Sequence, residues 1–331
     1  MKRIKFLIIP LLLVVFFLSA FKEDNKIRIF MIGDSTMANK DIRGGKLERG
    51  WGMMLKNFFT DDVVVDNRAL NGRSSKSFIA EGHWQKVVEQ IKPGDYVFIQ
   101  FGHNDEKKDT ARHTEPGSTF DDNLRRFVRE TRLRGGIPVL FNSVVRRTFV
   151  KSSTAVEDDD KRDNSSAGLQ EGDTLIDTHG EYLVSPKKVA NEMDVPFVDA
   201  NKITHDLEQG LGPEGSKSLH VWYKPGEVPS LPQGRQDNTH YNVRGAYVVA
   251  GLLVDAVAME VPDLKDFVCH YDAVVATDGS GLYFNPQDAV DGMPDDKAVT
   301  ILLCEGEWRK PLVPKGKKVK FVLRDGARWV K

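Results

Sequence analysis

Residues 27–36 read IRIFMIGDST, a largely apolar run that ends at Gly33 and is followed directly by polar residues. Four later runs have the same character: Val63–Asp66, Tyr96–Phe101, Ile137–Phe141 and Pro196–Val198. These runs are continuous rather than alternating in polarity, which is typical of strands covered on both faces. The sequence therefore predicts a parallel sheet of five strands.

Segments with helical character separate these runs and follow the last of them. They are Trp51–Phe59, Lys76–Ile91, Phe120–Leu133, Tyr182–Met193 and Val243–Met259. Alternating strands and helices indicate an α/β fold in which right-handed crossovers place helices on both faces of the sheet. Sites in such folds lie beyond the carboxyl ends of the strands, so the residues after each strand are the first functional candidates.

Polar motifs stand at these strand ends and near the last helix. The first strand leads into Gly33-Asp34-Ser35-Thr36, which by itself also fits an ordinary turn with a capping side chain. The other motifs are Asn71-Gly72-Arg73-Ser74, Gly102-His103-Asn104-Asp105 and Asp237-Asn238-Thr239-His240. The four together carry the residue types that nucleophilic catalysis requires.

A serine hydroxyl becomes a nucleophile only when a base accepts its proton, and a carboxylate must orient that base. We therefore predict Ser35 as the nucleophile, His240 as the base and Asp237 as its orienter. An oxyanion needs fixed hydrogen-bond donors. The backbone N–H groups of Ser35 and Gly72 and the side-chain amide of Asn104 are of the right type.

The blocks GDST, NGRSSKSF, FGHND and DNTH, in this order, resemble the SGNH/GDSL hydrolases, and most closely their rhamnogalacturonan acetylesterase-like branch. The resemblance spans about residues 26–260, and the predicted hydrolase domain covers residues 26–262. It implies a three-layer, flavodoxin-like α/β fold, the same catalytic and oxyanion residues, and no cofactor. The implied function is a serine esterase that removes acetyl groups from pectin (rhamnogalacturonan). Two alternatives stay open: a broader acetylesterase on xylan or other acetylated sugars, and a non-catalytic glycan-binding protein.

Four further side chains are candidates for substrate contact. His103 lies beside Asn104, and its alternative role is structural hydrogen bonding. His220 and Trp222 precede the last motif and are candidates for lining the substrate pocket. For His220, simple loop packing is the alternative. Arg146 and its neighbour Arg147 follow the fourth strand. They are either surface charges or partners of a carboxylated sugar polymer. The histidines show no metal-ligand spacing, so we expect no catalytic metal.

The two ends of the chain differ from this pattern. Residues 1–20 combine a basic start with the apolar run Phe6–Ala20, which predicts a signal peptide and export to the periplasm or outside the cell, with a retained anchor as the alternative. Residues 270–331 predict a short β-rich tail with a helix at Pro286–Met293. This tail resembles the start of a pectin methylesterase β-helix. Because stable solenoids need about three repeats, we expect no methylesterase activity from it.

Composition excludes several classes of protein. The 331 residues hold 47 Lys and Arg against 48 Asp and Glu, which provides no basic field for nucleic acid. Two cysteines cannot build a disulfide-dense scaffold or a four-cysteine zinc site. The expected partner is an acetylated pectic polysaccharide, with no membrane span after signal removal. The oligomeric state, the acetylated hydroxyl and the pairing of Cys269 with Cys304 stay open.

Overall fold

The computed structural model describes residues 26–151 and 172–331. The predicted signal peptide lies outside these residues. Within them, no helix has both the length and the apolar character needed to cross a membrane.

The strands of the described residues are labelled in chain order. They are β1 (Ile27–Gly33), β2 (Val63–Asn67), β3 (Tyr96–Gln100), β4 (Ile137–Phe141), β5 (Phe149–Val150), β6 (Thr174–Leu175), β7 (Phe197–Val198), β8 (His220–Tyr223), β9 (Arg235–Tyr241), β10 (Ala273–Val275), β11 (Val299–Leu303), β12 (Gly306–Arg309), β13 (Val319–Leu323) and β14 (Ala327–Val330).

The α-helices of the same residues are α1 (Trp51–Met54), α2 (Ser75–Ala80), α3 (His83–Val88), α4 (Thr119–Leu133), α5 (Glu181–Met193), α6 (Ala200–Gly215), α7 (Val243–Glu260) and α8 (Pro286–Gly292).

The central sheet contains the five predicted strands in the order β2-β1-β3-β4-β7, and every neighbouring pair is parallel. Helices cover both faces. On one face α1 and α7 bury Trp51 and Leu253, and on the other α2 and α4 bury Phe78 and Phe127. The predicted three-layer α/β fold is confirmed. Its carboxyl edge brings the ends of β1, β2 and β3 together.

Three helical segments differ from the sequence prediction. The predicted helix Lys76–Ile91 is two helices, α2 and α3, because Gly82 between them has a φ of +76°. The helix that starts at Trp51 continues as a 3₁₀ turn over Leu55–Phe58. Helix α6 was not predicted, since its sequence contains glycines and a proline near its end.

The glycines and prolines of residues 210–238 favour a long loop. Residues 224–234 do form a loop, but the segment also holds the end of α6 and an antiparallel hairpin of β8 and β9. The hairpin matters for function because β9 carries both Asp237 and His240.

The predicted β-rich tail is confirmed and consists of two small parallel sheets, β10-β11-β13 and β12-β14. Ile301, Leu303 and Trp308 pack with α8 in a core of their own. Both cysteines are free thiols. The likeness of this tail to a pectin methylesterase stays a prediction.

The tail packs against the catalytic layer through buried polar contacts. Asn57 Nδ2 donates to the carbonyl of Ser280 at 2.7 Å. Arg49 Nε donates to the carbonyl of Gly279 at 2.9 Å, while its Nη1 donates to the carbonyls of Lys46 and Glu48, both at 2.8 Å. Arg49 therefore joins the tail to the loop between β1 and α1.

Replacing Arg49 with methionine should lower the free energy of unfolding by about 3 kcal/mol, because buried carbonyls lose a charged donor. Urea denaturation followed by circular dichroism measures the effect. Arg43→Met is the matched control, since the Arg43 side chain is 89% exposed and its loss should change stability by less than about 0.5 kcal/mol. Equal unfolding midpoints for the two variants would contradict the prediction.

Candidate active site

Ser35 lies in a tight turn directly after β1. The turn requires Gly33, because a Cβ there would lie 2.6 Å from the carbonyl oxygen of Gln100 on β3. Asp34 is fully buried, and its Oδ1 accepts hydrogen bonds from Thr36 N at 2.9 Å and from Thr36 Oγ1 at 2.8 Å. Burial raises the pKa of Asp34 despite these bonds. Asp34 thus shapes the turn that presents Ser35.

Ser35, His240 and Asp237 form a continuous chain of contacts. His240 Nε2 lies 2.9 Å from Ser35 Oγ, and His240 Nδ1 lies 2.9 Å from Asp237 Oδ2. Asp237 Oδ1 accepts from the backbone N–H groups of Thr239 at 2.8 Å and His240 at 2.9 Å. The aspartate therefore folds back onto the ring that follows it by three residues.

The environment keeps the Asp237 carboxyl ionised. Only 4% of the residue is exposed. Burial opposes ionisation, but the bond to His240 and the nearby charge of Arg235 hold the pKa of Asp237 well below its usual range. An ionised acceptor at Nδ1 places the ring proton there, so the lone pair of Nε2 faces the hydroxyl of Ser35.

The donors predicted for an oxyanion lie on the neighbouring strand-end loops. Leu70 N donates to the carbonyl of Gly33 at 3.0 Å, which ties the loop after β2 to the turn after β1. Gly72 has a φ of +72°, and a Cβ there would meet nothing within 4 Å, so the backbone is open to an incoming group. Asn104 Nδ2 donates to the carbonyl of Arg73 at 3.3 Å, which joins the loop after β3 to the loop after β2.

Asp105, for which the sequence motifs predict no role, links the loop after β3 to the start of α2. Its carboxyl group accepts hydrogen bonds from the backbone N–H and the hydroxyl of Ser75, at the start of α2, and from Thr114 Oγ1 at 3.0 Å. Burial raises the pKa of Asp105 to about 7. The residue thereby fixes the loop that presents Asn104.

Arg146 and Arg147 are not surface cations, so this expectation was wrong. Only 4% of each residue is exposed. Arg146 forms an ion pair with Glu106, whose other oxygen lies 2.9 Å from His179 Nδ1. Burial opposes ionisation of Glu106, but Arg146 and His179 lower the pKa of Glu106 to about 2. Arg146 thus forms an ion pair with a buried carboxylate of this chain. Its position in the sequence did not indicate this pairing.

The remaining candidates have different surroundings. The His103 ring packs edge-on against His179, with 4.4 Å between centroids, and burial places the pKa of His103 well below its ordinary value. His220 is fully buried at 2.9 Å from Glu208, in accord with the packing alternative. Trp222 is half-buried, and its Nε1 donates to Asn238 Oδ1 at 2.9 Å.

Trp222 borders an open groove of about 420 Å³. Lys217 and Arg244 also line this groove, and Asn242 and Val243, which follow His240 closely in the chain, form part of its wall. The groove therefore begins beside the catalytic strand and presents an aromatic ring and Arg244 to a ligand, while Glu227 also lines it and Lys217 is paired with Glu214 at 2.6 Å.

Glu48, Asp237 and His240 place potential metal-ligand atoms within 4.8 Å of one another. Lys40 Nζ lies 2.7 Å from Glu48, and Arg235 pairs with both carboxylates. Lys40 and Arg235 already neutralise the two carboxylates, so the cluster has no excess negative charge that would attract a metal ion.

Comparison with known proteins identifies the family. The family model described as the GDSL-like lipase/acylhydrolase family matches residues 31–246. Rhamnogalacturonan acetylesterase RhgT of Bacillus subtilis (strain 168) is 38% identical over 240 residues, or 72% of this chain and 93% of that protein. Rhamnogalacturonan acetylesterase of Emericella nidulans is 27% identical over 251 residues, or 74% and 90%.

A solved structure also resembles this chain. The crystal structure of the YxiM protein of Bacillus subtilis matches with a TM-score of 0.53 and 25% identity, covering 71% of this chain and 56% of that one. The matched family and the fold agree with the arrangement of the strand-end motifs. The chain belongs to the GDSL-like lipase/acylhydrolase family, with an SGNH hydrolase fold, and is a carboxylic ester hydrolase.

Proposed function

We propose that this esterase removes acetyl groups from pectin, with the rhamnogalacturonan backbone as its substrate. The observation that carries the proposal is the contact chain Ser35–His240–Asp237 at the carboxyl edge of the sheet. The substrate class is supported by the two relatives named as rhamnogalacturonan acetylesterases. The groove beside Trp222 presents an aromatic ring to a sugar, and its Arg244 can pair with the carboxylate of an acidic sugar.

The proposed reaction uses the site as a serine esterase. Ser35 Oγ attacks the acetyl carbonyl carbon while His240 Nε2 takes its proton, and Asp237 stabilises the imidazolium. The N–H groups of Ser35 and Gly72 and the amide of Asn104 receive the oxyanion. The intermediate expels the sugar hydroxyl, protonated by His240, and leaves an acetyl ester on Ser35. Water, deprotonated by His240, then attacks the acetyl carbonyl carbon, and the bond to Ser35 breaks as His240 returns the proton to Ser35 Oγ and acetate leaves.

Acetate release from a panel of substrates tests this proposal. We expect kcat/KM on acetylated rhamnogalacturonan to exceed that on acetylated xylan by about tenfold or more, which corresponds to roughly 1.4 kcal/mol of preferential transition-state binding. Equal rates on both polymers would favour the broader acetylesterase. Failure to hydrolyse an aryl acetate, together with no organophosphonate adduct on Ser35, would favour a glycan-binding protein.

Replacing Asn104 with alanine should lower kcat by about 10²- to 10³-fold with little change in KM, because the lost donor acts on charge that develops only in the transition state. Aryl acetate hydrolysis measures both constants. Asn285→Ala is the control, since Asn285 caps α8 in the tail and accepts from Asp288 N at 2.9 Å. A change confined to KM would contradict the role of Asn104.

We also propose that residues 1–20 direct export, so that the esterase acts in the periplasm or outside the cell. A polymer of plant cell walls is too large to enter a cell intact, which agrees with this location. The proposed division of the exported chain is a hydrolase over residues 26–262 and a tail over residues 270–331.

A further inference from the structure

Behind Asp237 lies a second set of charged side chains that the catalytic sequence motifs do not include. Arg235 donates through Nη2 to Asp237 Oδ2 and through Nη1 to Glu48 Oε2, the latter at 2.9 Å. The second oxygen of Glu48 lies 2.7 Å from Lys40 Nζ. Cations and anions therefore alternate along a chain of contacts that leads to Ser35. In order, its members are Lys40, Glu48, Arg235, Asp237 and His240.

The backbone of β9 explains how Arg235 reaches Asp237. Residues two apart on a strand point to the same face, so the guanidinium lies beside the carboxylate. Lys40 and Asp237 are nearly buried, with side-chain exposures of 5% and 4%, whereas Glu48 is 22% and Arg235 38% exposed. Charges in such surroundings interact more strongly than exposed pairs do.

Arg235 has two opposing effects on the catalytic pair. Its bond to Oδ2 fixes the rotamer of Asp237, so that the same oxygen faces His240 Nδ1. Its positive charge, however, disfavours the imidazolium that must form on His240 during catalysis. A nearby anion offsets that charge, and Glu48 occupies this position. Burial acts against ionisation of Glu48, but the charges of His240, Lys40 and Arg235 lower its pKa.

Backbone contacts hold the loop of Glu48 independently of its carboxylate. The backbone of Glu48 forms an antiparallel bridge with Asn242, and Arg49 N donates to the carbonyl of Tyr241 at 2.9 Å. Arg49 holds the same loop from the other side through Gly279. Neutralising the carboxylate should therefore leave the loop where it is and change only the charge balance.

We propose that Arg235 and Glu48 are positioning residues for the Asp237–His240 pair: Arg235 orients the aspartate, and Glu48 balances the guanidinium charge. The inference rests on the proposed roles of Ser35, Asp237 and His240. Asp34, in the serine turn, and His103 also interact electrostatically with His240. Both stay unchanged in the variants described next, so they do not alter the comparison.

The test is the pH dependence of kcat/KM for a small aryl acetate in Glu48→Gln and Arg235→Gln. Loss of the Glu48 anion makes the imidazolium less stable, so the acid limb should move to lower pH by roughly 0.5 unit. Loss of the Arg235 cation should move it by a similar amount to higher pH. We expect kcat to fall by about tenfold in each variant, with KM unchanged within about twofold.

Three further variants make the test specific. Arg235→Lys keeps the charge but not the paired donors, so its acid limb should stay near that of the unmodified enzyme while kcat falls. The double variant Glu48→Gln/Arg235→Gln should bring the limb back towards its original position. Glu192→Gln is the matched control, because Glu192 forms an exposed pair with Arg125, at 2.7 Å, far along the chain from the catalytic motifs.

Opposite shifts of the acid limb support the inference, since a merely structural role would not move the limb in opposite directions. Unshifted limbs, shifts of the same sign, or a fall in the thermal unfolding midpoint without any shift would overturn it while leaving the esterase mechanism intact. Aryl acetate hydrolysis that survives Ser35→Ala would instead refute the proposed mechanism, and the inference with it.

Discussion

Replacing Ser35 with alanine is expected to lower kcat for acetate release by at least about 10⁴-fold, because the variant lacks the oxygen on which the acetyl intermediate forms. The hydroxyl lies 2.9 Å from His240 Nε2, so its removal takes away the oxygen from which this nitrogen would accept the proton. Acetate released from acetylated rhamnogalacturonan and from an aryl acetate measures the loss. KM should change little, since the methyl group of alanine leaves the groove beside Trp222 as it is.

Ser118→Ala is the control for Ser35→Ala. The Ser118 hydroxyl donates to the carbonyl of Glu115 at 3.4 Å in an exposed turn, so its loss should leave kcat unchanged. Full activity in Ser35→Ala would exclude the proposed nucleophile. A loss shared equally by the two variants would show that the assay reports folding rather than chemistry.

Asp237→Asn is expected to lower kcat by about 10³- to 10⁴-fold, because an amide cannot stabilise the imidazolium and favours the wrong ring tautomer. Its effect should lie almost wholly in kcat. The exposed pair Asp255–His270, with Oδ1 and Nε2 at 2.8 Å, provides a matched control. Asp255→Asn changes the same chemical group beside a histidine and should leave kcat unaltered.

The stability of Asp237→Asn adds a second readout with a definite sign. The folded protein lowers the pKa of Asp237, so the ionised carboxylate stabilises the fold above its unfolded pKa, and this contribution is lost as pH falls. The difference in unfolding free energy between the two proteins should therefore be largest near neutral pH. It should diminish below about pH 4. A difference that grows on acidification would contradict the pKa direction.

The alternation of apolar strands with amphipathic helices was sufficient to predict the sheet. A strand covered on both faces must be apolar throughout, and this requirement is visible in residues such as Ile29 and Phe98. The boundaries of α2 and α3 were less predictable, because a single glycine such as Gly82 within a helical pattern does not by itself indicate a left-handed turn. Helix α6 was missed since tertiary packing of Ala200 and its neighbours outweighs the weak helical preference of its glycines.

The candidate site was partly predictable for a related reason. Parallel strands meet at one edge, so polar motifs after β1, β2 and β3 had to lie near one another. The histidine and aspartate could be named as well, since a carboxylate three residues before a histidine can fold back onto its ring. What these residues do is a proposal, but their proximity is a property of the structure.

The amino-acid sequence by itself determined the α/β class, the order of the strands along the chain and the residues that stand at their ends, because these follow from local polarity and spacing. Only the tertiary structure decided that Arg146 is buried against Glu106 and that Glu48 lies behind Asp237 through Arg235. The physical reason is that charge pairing depends on distance in space, and 187 residues separate Glu48 from Arg235 in the chain. No local pattern carries that information.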